Sequence, residues 1–209
     1  MRWIVTVLLI AWVFLGCSGG DFYPPPKHPA RVLLWGDSIR VGYEPSLVAM
    51  AEGDLAIWSP EWYFGMTVES LRDRLYGSER PSLATYDAFH LNAGLHDALV
   101  GGPTSSVLYE QAWREVIAVI QAENPDARII LTTSTLPPLA TFPETVGVVL
   151  EYNEVIRSLV AEGPGLWLDD LASVQGIEGL ETEDGLHFSA EDSEVLAVAV
   201  YIAIQGALL

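Results

Sequence analysis

From Arg31 onward the chain alternates two patterns of apolar residues: short continuous runs rich in β-branched and aromatic side chains, and longer stretches in which apolar positions recur every three or four residues. The short runs predict strands covered on both faces, and the longer ones amphipathic helices. Their alternation predicts an α/β chain with one parallel sheet and helices on both sides of it. Strands are expected at Val32 to Trp35, Leu55 to Trp58, Ala88 to Asn92, Arg128 to Thr133 and Leu166 to Leu168. The stretch SSVLYEQAWREVIAVIQAE places Tyr109, Ala112, Trp113, Val116, Ile117 and Ile120 on one face at helical spacing, which marks a helix packed on the sheet. Near the C-terminus, SAEDSEVLAVAVYIAIQG opens with Ser189 and Asp192 in an S-x-x-D capping arrangement and closes at Gly206. Its ten-residue apolar run, Val195 to Ile204, is far shorter than the roughly twenty residues of a bilayer-spanning helix and predicts burial in a core. After the first strand, Gly36, Asp37 and Ser38 predict a turn, with a helix beginning near Glu44.

The N-terminus has a different pattern. Met1 and Arg2 precede thirteen largely apolar residues, WIVTVLLIAWVFL, followed by Gly16, Cys17 and Ser18. That run is too short to span a bilayer but suits the hydrophobic region of an export signal. FLGC, ending at Cys17, resembles the lipobox of bacterial lipoproteins, which implies cleavage before Cys17 and lipidation of its thiol. Residues 1–17 are therefore set apart as signal peptide and lipobox. Residues 18–30, Gly-containing and then Pro-rich, are expected to form an extended tether, and residues 31–209 the folded domain. An exported protein is expected, held at the cell envelope by its lipid or else secreted.

Charge narrows the partners. With 28 Asp and Glu against 10 Lys and Arg, the formal net charge is -18, which opposes binding to nucleic acid or to anionic membrane surfaces. Membrane contact is expected only through the N-terminal lipid anchor. Cys17 is the single cysteine, so no disulfide within the chain exists, and 209 residues suffice for one domain with a sizeable core.

In parallel sheets flanked by helices, working residues gather at the carboxyl ends of strands. Ser38 stands at such an end. A serine hydroxyl is a weak nucleophile until a histidine accepts its proton, and that histidine needs an acid to set its tautomer and orientation. Of the four histidines, His28 falls in the tether and His90 within a strand, where a core role is expected. His187 stands in ETEDGLHFSAED, just before the capped C-terminal helix, with Asp184 three residues earlier; Ser189 would fix the backbone that follows. A middle strand leads into HLNAGLHDAL, which carries Asn92, His96 and Asp97.

Three stretches now align in order: Gly36-Asp37-Ser38-Ile39, Gly94-Leu95-His96-Asp97 and Asp184-Gly185-Leu186-His187, with Gly65 of WYFGMTVESL between the first two. Together they resemble the SGNH, or GDSL-type, hydrolase family over Arg31 to about Ala203. The resemblance implies a three-layer, flavodoxin-like α/β/α fold with about five parallel strands and a serine esterase mechanism. Ser38 would be the nucleophile, His187 the general base and acid, and Asp184 the residue that orients the imidazole. It also implies an oxyanion hole made by the backbone N–H groups of Ser38 and Gly65 and a third donor. Where the family pattern reads Gly-x-Asn-Asp this chain has His96, so the third donor is His96 by position, or Asn92 reaching from the strand end. No metal and no cofactor is expected. The substrate class is a small-molecule or glycan ester: an acylated glycan, a lipid ester or a small acetyl ester.

Trp58, Trp62, Tyr63 and Phe64 crowd the approach to Gly65, where aromatics could line a substrate slot or simply pack the second strand. TTSTLPPLATFPETVG after the fourth strand is expected to be a long loop at the same end of the sheet. Two other classes of function use these residues differently. A glycan-binding or scaffold module on the same fold would need no intact Ser-His-Asp set, and an acyltransferase would use the set with an alcohol in place of water. A metal reading takes His96, Asp97, Asp184 and His187 as ligands and leaves Ser38 without a role.

Overall fold

The computed structural model describes residues 28–60, 66–77, 80–99 and 105–209. Cys17, most of the tether, Trp62, Tyr63, Phe64 and Gly65 lie outside these residues. The five strands run β1 (Ala30–Trp35), β2 (Leu55–Trp58), β3 (Ala88–Asn92), β4 (Arg128–Thr132) and β5 (Leu166–Asp169). They form one parallel sheet in the order β2-β1-β3-β4-β5. The chain thus moves outward from β1 to β2 and returns past β1 to β3, so strand order reverses between β1 and β3. A crevice at the carboxyl ends of those two strands is where such a sheet leaves room for a ligand.

The helices are α1 (Ser38–Met50), α2 (Val68–Tyr76), α3 (Leu95–Leu99), α4 (Ser106–Glu123), α5 (Pro143–Glu162), α6 (Leu171–Glu178) and α7 (Ala190–Leu208). α1 and α7 pack together on one face, with α7 against β3, β4 and β5; α4 joins α2 and α5 on the other face. All six positions expected on the buried face of α4 are buried. Burial is continuous only from Val32 to Trp35 in β1, throughout β3 and from Ile129 to Thr132 in β4. The edge strands β2 and β5 leave Trp58, Trp167 and Leu168 partly exposed, because an edge strand has a neighbour on one side alone.

Several expected boundaries move. α1 begins at Ser38 rather than near Glu44: Asp37 is its N-cap, its side chain accepting the N–H of Ile39 at 2.9 Å, and Pro45 lies inside the helix instead of opening it. α7 runs past Gly206 to Leu208, since a glycine within a packed helix weakens it without ending it. The α7 apolar run is not wholly core, because Val198 and Ile202 face solvent. The loop after β4 is shorter than expected, as Pro143 starts α5 at the first helical position, where its missing N–H has no intrahelical partner to lose. No helix among the described residues is long and apolar enough to cross a membrane.

Gly36 sets how closely β1 and α1 approach. A Cβ there would lie 2.8 Å from the Arg40 Cβ and 3.3 Å from the Asn92 Cβ, in a spot without slack. Gly36→Ala is expected to cost about 1–3 kcal/mol of unfolding free energy by overpacking this junction. Urea denaturation measures it, and an unchanged midpoint would show that the junction yields.

Candidate active site

The turn after β1 delivers two side chains with different tasks. Asp37, buried, turns inward to cap α1, and Ser38 becomes the first helical residue, half-buried at the mouth of the crevice. Capping and presentation of the serine are therefore compatible, because adjacent residues perform them. The N-terminal N–H groups of a helix lack intrahelical partners and carry its positive dipole end, which favours negative charge developing beside Ser38.

Ser38 Oγ lies 2.7 Å from His187 Nε2, and His187 Nδ1 lies 2.7 Å from Asp184 Oδ2. A carboxylate can only accept, so Nδ1 carries the proton and donates to Asp184; Nε2 is left with a lone pair that accepts the Ser38 hydroxyl proton. Asp184 Oδ1 also accepts the backbone N–H groups of Leu186 and His187 at 2.9 and 2.8 Å. The turn and the acid are thus one structure: the carboxylate that orients the imidazole also folds the loop that carries it. These bonds, the His187 side chain foremost, hold Asp184 well below the usual carboxylate range, so it is ionised. Gly185 turns the loop at φ +93°, a region that favours glycine, with the Phe142 ring 3.2 Å from where its Cβ would stand. Ser189 caps α7, accepting the Asp192 N–H at 3.0 Å, two residues after His187. The imidazole and carboxylate are open to solvent, with 46% and 59% of their side-chain surfaces exposed.

The segment after β3 supplies a third group. Gly94, at φ +148°, admits a close approach of backbone to side chains: its Cβ would stand 2.5 Å from Ser134 Oγ and 3.0 Å from the Tyr109 hydroxyl oxygen. α3 follows at once and carries half-buried His96 and buried Asp97. His96 and His187 both lie close enough to Asp37 to act electrostatically on its carboxyl, which places His96 on the Ser38 side of the crevice. Burial, the larger effect, nonetheless raises Asp37, and its Oδ2 has no hydrogen-bond partner among the described residues. Asn92, the other candidate donor, is buried behind Gly36.

The sequence did not single out Arg40 or Glu44. Arg40 is buried, donates to the Pro60 carbonyl at 3.2 Å and pairs with Glu44, which also accepts from the Ser59 hydroxyl. This cluster ties α1 to the chain leaving β2. An i, i+4 Arg-Glu pair in a sequence reads as a solvated helix face, so only burial reveals it. His90 is a core residue as expected, its Nε2 2.7 Å from Asp169 Oδ2 and 3.1 Å from Thr132 Oγ1. Trp58 packs against Tyr86, ring centroids 6.1 Å apart, which is the packing role. The four residues of the metal reading do not converge. Both Asp97 oxygens face the Val68 N–H, both His187 nitrogens are engaged by Ser38 and Asp184, and no metal-holding group of three or more His, Cys, Asp or Glu occurs among the described residues.

No protein-family model and no curated protein sequence matches this chain. Solved structures do. A lipase/acylhydrolase from Enterococcus faecalis superposes with a TM-score of 0.69 at 22% identity, over 85% of this chain and 96% of that one. The acetyl xylan esterase AlAXEase gives 0.70 at 18%, over 83% and 99%. The C-terminal catalytic domain of peptidoglycan O-acetyltransferase A from Streptococcus pneumoniae gives 0.63 at 17%, over 86% and 95%. The chain therefore has the three-layer fold of these acylhydrolase and esterase structures, the SGNH fold that the ordered sequence blocks imply.

Asp97 makes stability depend on pH. Burial, the largest influence, raises its carboxyl from 3.8 to about 7, against the lowering effect of the Val68 N–H. The folded chain keeps this proton up to about pH 7, whereas the unfolded chain releases it near 4, so its contribution to stability falls as pH rises through that window. Relative to Asp97→Asn, the wild type is expected to lose up to about 4 kcal/mol between pH 4 and 8. Parallel denaturation curves for the two proteins across that range would refute it.

Proposed function

We propose that this chain is an exported serine esterase that removes acyl groups through Ser38, His187 and Asp184. The observation that carries the proposal is the continuous relay from Ser38 Oγ through both imidazole nitrogens to Asp184, each link 2.7 Å. Ser38 Oγ attacks the ester carbonyl as His187 Nε2 takes its proton, and Asp184 stabilises the imidazolium that forms. Collapse of the tetrahedral intermediate expels the alcohol, which leaves with that proton, and the acyl group stays on Ser38. Water then attacks the acyl-enzyme, again losing a proton to Nε2, and the acid departs as Ser38 regains its hydrogen. As the family resemblance implies, the oxyanion would be held by the backbone N–H groups of Ser38 and of Gly65, which lies outside the described residues, and by a third donor, for which the electrostatic pull of His96 on Asp37 is the support.

The openness of His187 and Asp184 favours an ester with a small acyl group and an alcohol half that stays in solvent, as in an acetylated polysaccharide. Two of the similar structures, an acetyl xylan esterase and a peptidoglycan O-acetyltransferase domain, are named for such chemistry. The same opening would admit a sugar hydroxyl in place of water, which makes acyl transfer the second reading. For location, Cys17 would carry the lipid and residues 18–30 the tether.

Hydrolysis of p-nitrophenyl esters from acetyl to dodecanoyl is expected to favour the shortest chains. Ser38→Ala should lose about a thousandfold or more in kcat/KM, and His96→Ala about ten- to a thousandfold. Turnover that survives Ser38→Ala would sink the mechanism, and silence toward both small and glycan esters would favour a binding module. In a bacterial host, radiolabelled palmitate should label the chain and fail to label Cys17→Ser.

A further inference from the structure

We propose that Asp97 is a positioning residue of the site, clamping α3 to the first turn of α2 and thereby fixing where His96 stands relative to Ser38. The inference rests on the esterase reading above and concerns a residue that takes no chemical step in it. Three independent observations converge on Asp97.

The first is what its carboxylate holds. Thr67 caps α2 by accepting the Ser70 N–H at 3.1 Å, which leaves the N–H of Val68, the first helical residue, without a partner in its own helix. Asp97 Oδ1 and Oδ2 accept that N–H at 3.1 and 3.2 Å, a hydrogen bond that joins α3 to α2. The second is what Asp97 is joined to. It follows His96 directly in a five-residue helix, too short to hold its own position, so whatever anchors Asp97 anchors His96. The third is cost. Asp97 is 1% exposed, and the charged groups that act on it among the described residues, Glu69 on α2 and Asp37 before α1, both repel its charge, while Tyr109 on α4 and Tyr152 on α5 are neutral. A carboxylic acid in that setting destabilises the fold whenever it ionises. An asparagine would accept the same N–H without that cost, so the fold alone does not explain an acid here. Fixing a ligand-facing group is a use for which proteins do give up stability.

The test compares wild type, Asp97→Asn, His96→Ala and the double variant in the full chain, with Ser38→Ala as the blank. Asp97→Asn is expected to lower kcat about ten- to a hundredfold with KM within about twofold, to shift the pH profile of kcat/KM near neutrality, and to melt no lower than wild type at pH 8. Because Asp97 acts through His96, adding Asp97→Asn to His96→Ala should change kcat less than about twofold. The ring proton signals of His96 and the amide signal of Val68 should both move in Asp97→Asn by NMR. Three results overturn the inference: His96 signals that stay in place, fully additive losses in the double variant, or a fall in activity that tracks a fall in Tm. If the wild type shows no Ser38-dependent turnover, the esterase reading falls, and the NMR shifts alone support or overturn the clamp.

Discussion

Ser38 and His187 are 149 residues apart, and one packing arrangement brings them within 2.7 Å: α1 and α7 lie side by side and begin at the same end of the sheet. Ser38 is the first residue of α1, and His187 stands two residues before the Ser189 cap of α7, so docking the two helices sets the distance between hydroxyl and imidazole. Their close approach depends on small residues. A Cβ on Gly42 would meet Ser193 Oγ at 3.3 Å, and Ser193 is itself buried in α7. A displacement of about 1 Å between these helices would break the relay, since such geometry tolerates little error.

The same end of the sheet concentrates buried charge. Asp37, Asp97 and Asp169 are nearly inaccessible, as is Arg40, and within a chain of formal charge -18 the carboxylates outnumber their cations. Burial pushes Asp37 and Asp97 upward, with repulsion from Glu69 and Asp37 adding to the effect at Asp97, whereas solvent-open Asp184 is pulled down by its bonds to His187 and the loop. Environments that drive neighbouring acids in opposite directions mark sites where protonation is put to use. Here the acid in contact with the His187 imidazole is the one kept ionised.

Much of this was legible in the sequence, for physical reasons that differ by residue. The strands could be read because their apolar runs are short and bounded by turn residues; β2 and β3 fall where expected, and β1, β4 and β5 differ at an end by one or two residues. α4 could be read because a helix on a sheet must repeat every three to four residues. Ser38, Asp184 and His187 stood out because they occupy strand-end or pre-helix positions in ordered blocks. The start of α1 was hidden by Pro45, which ordinarily opens helices and here sits inside one. Arg40 was hidden because nothing in one dimension tells a buried Arg-Glu pair from a solvated one. A bracing role for Asp97 could be read from its block, but not its partner, because the bond joins side chain to backbone across 29 residues and a backbone N–H carries no sequence signature.

His96 ties these levels together. On the esterase reading, an imidazole donates where a carboxamide would, and it is a rigid ring that reaches farther from its own backbone than the amide of an asparagine. To put an N–H at the same point, the main chain behind it must stand farther back and be held there. Gly94 lets the backbone press against Ser134 and Tyr109, whose hydroxyl donates to the Ala93 carbonyl at 2.7 Å while its ring stacks on Tyr152. Asp97 fastens the other end of the segment to α2. On that reading a longer donor and a backbone clamped on both sides belong together, and replacing His96 by asparagine without moving that backbone is expected to leave the shorter amide short of the oxyanion.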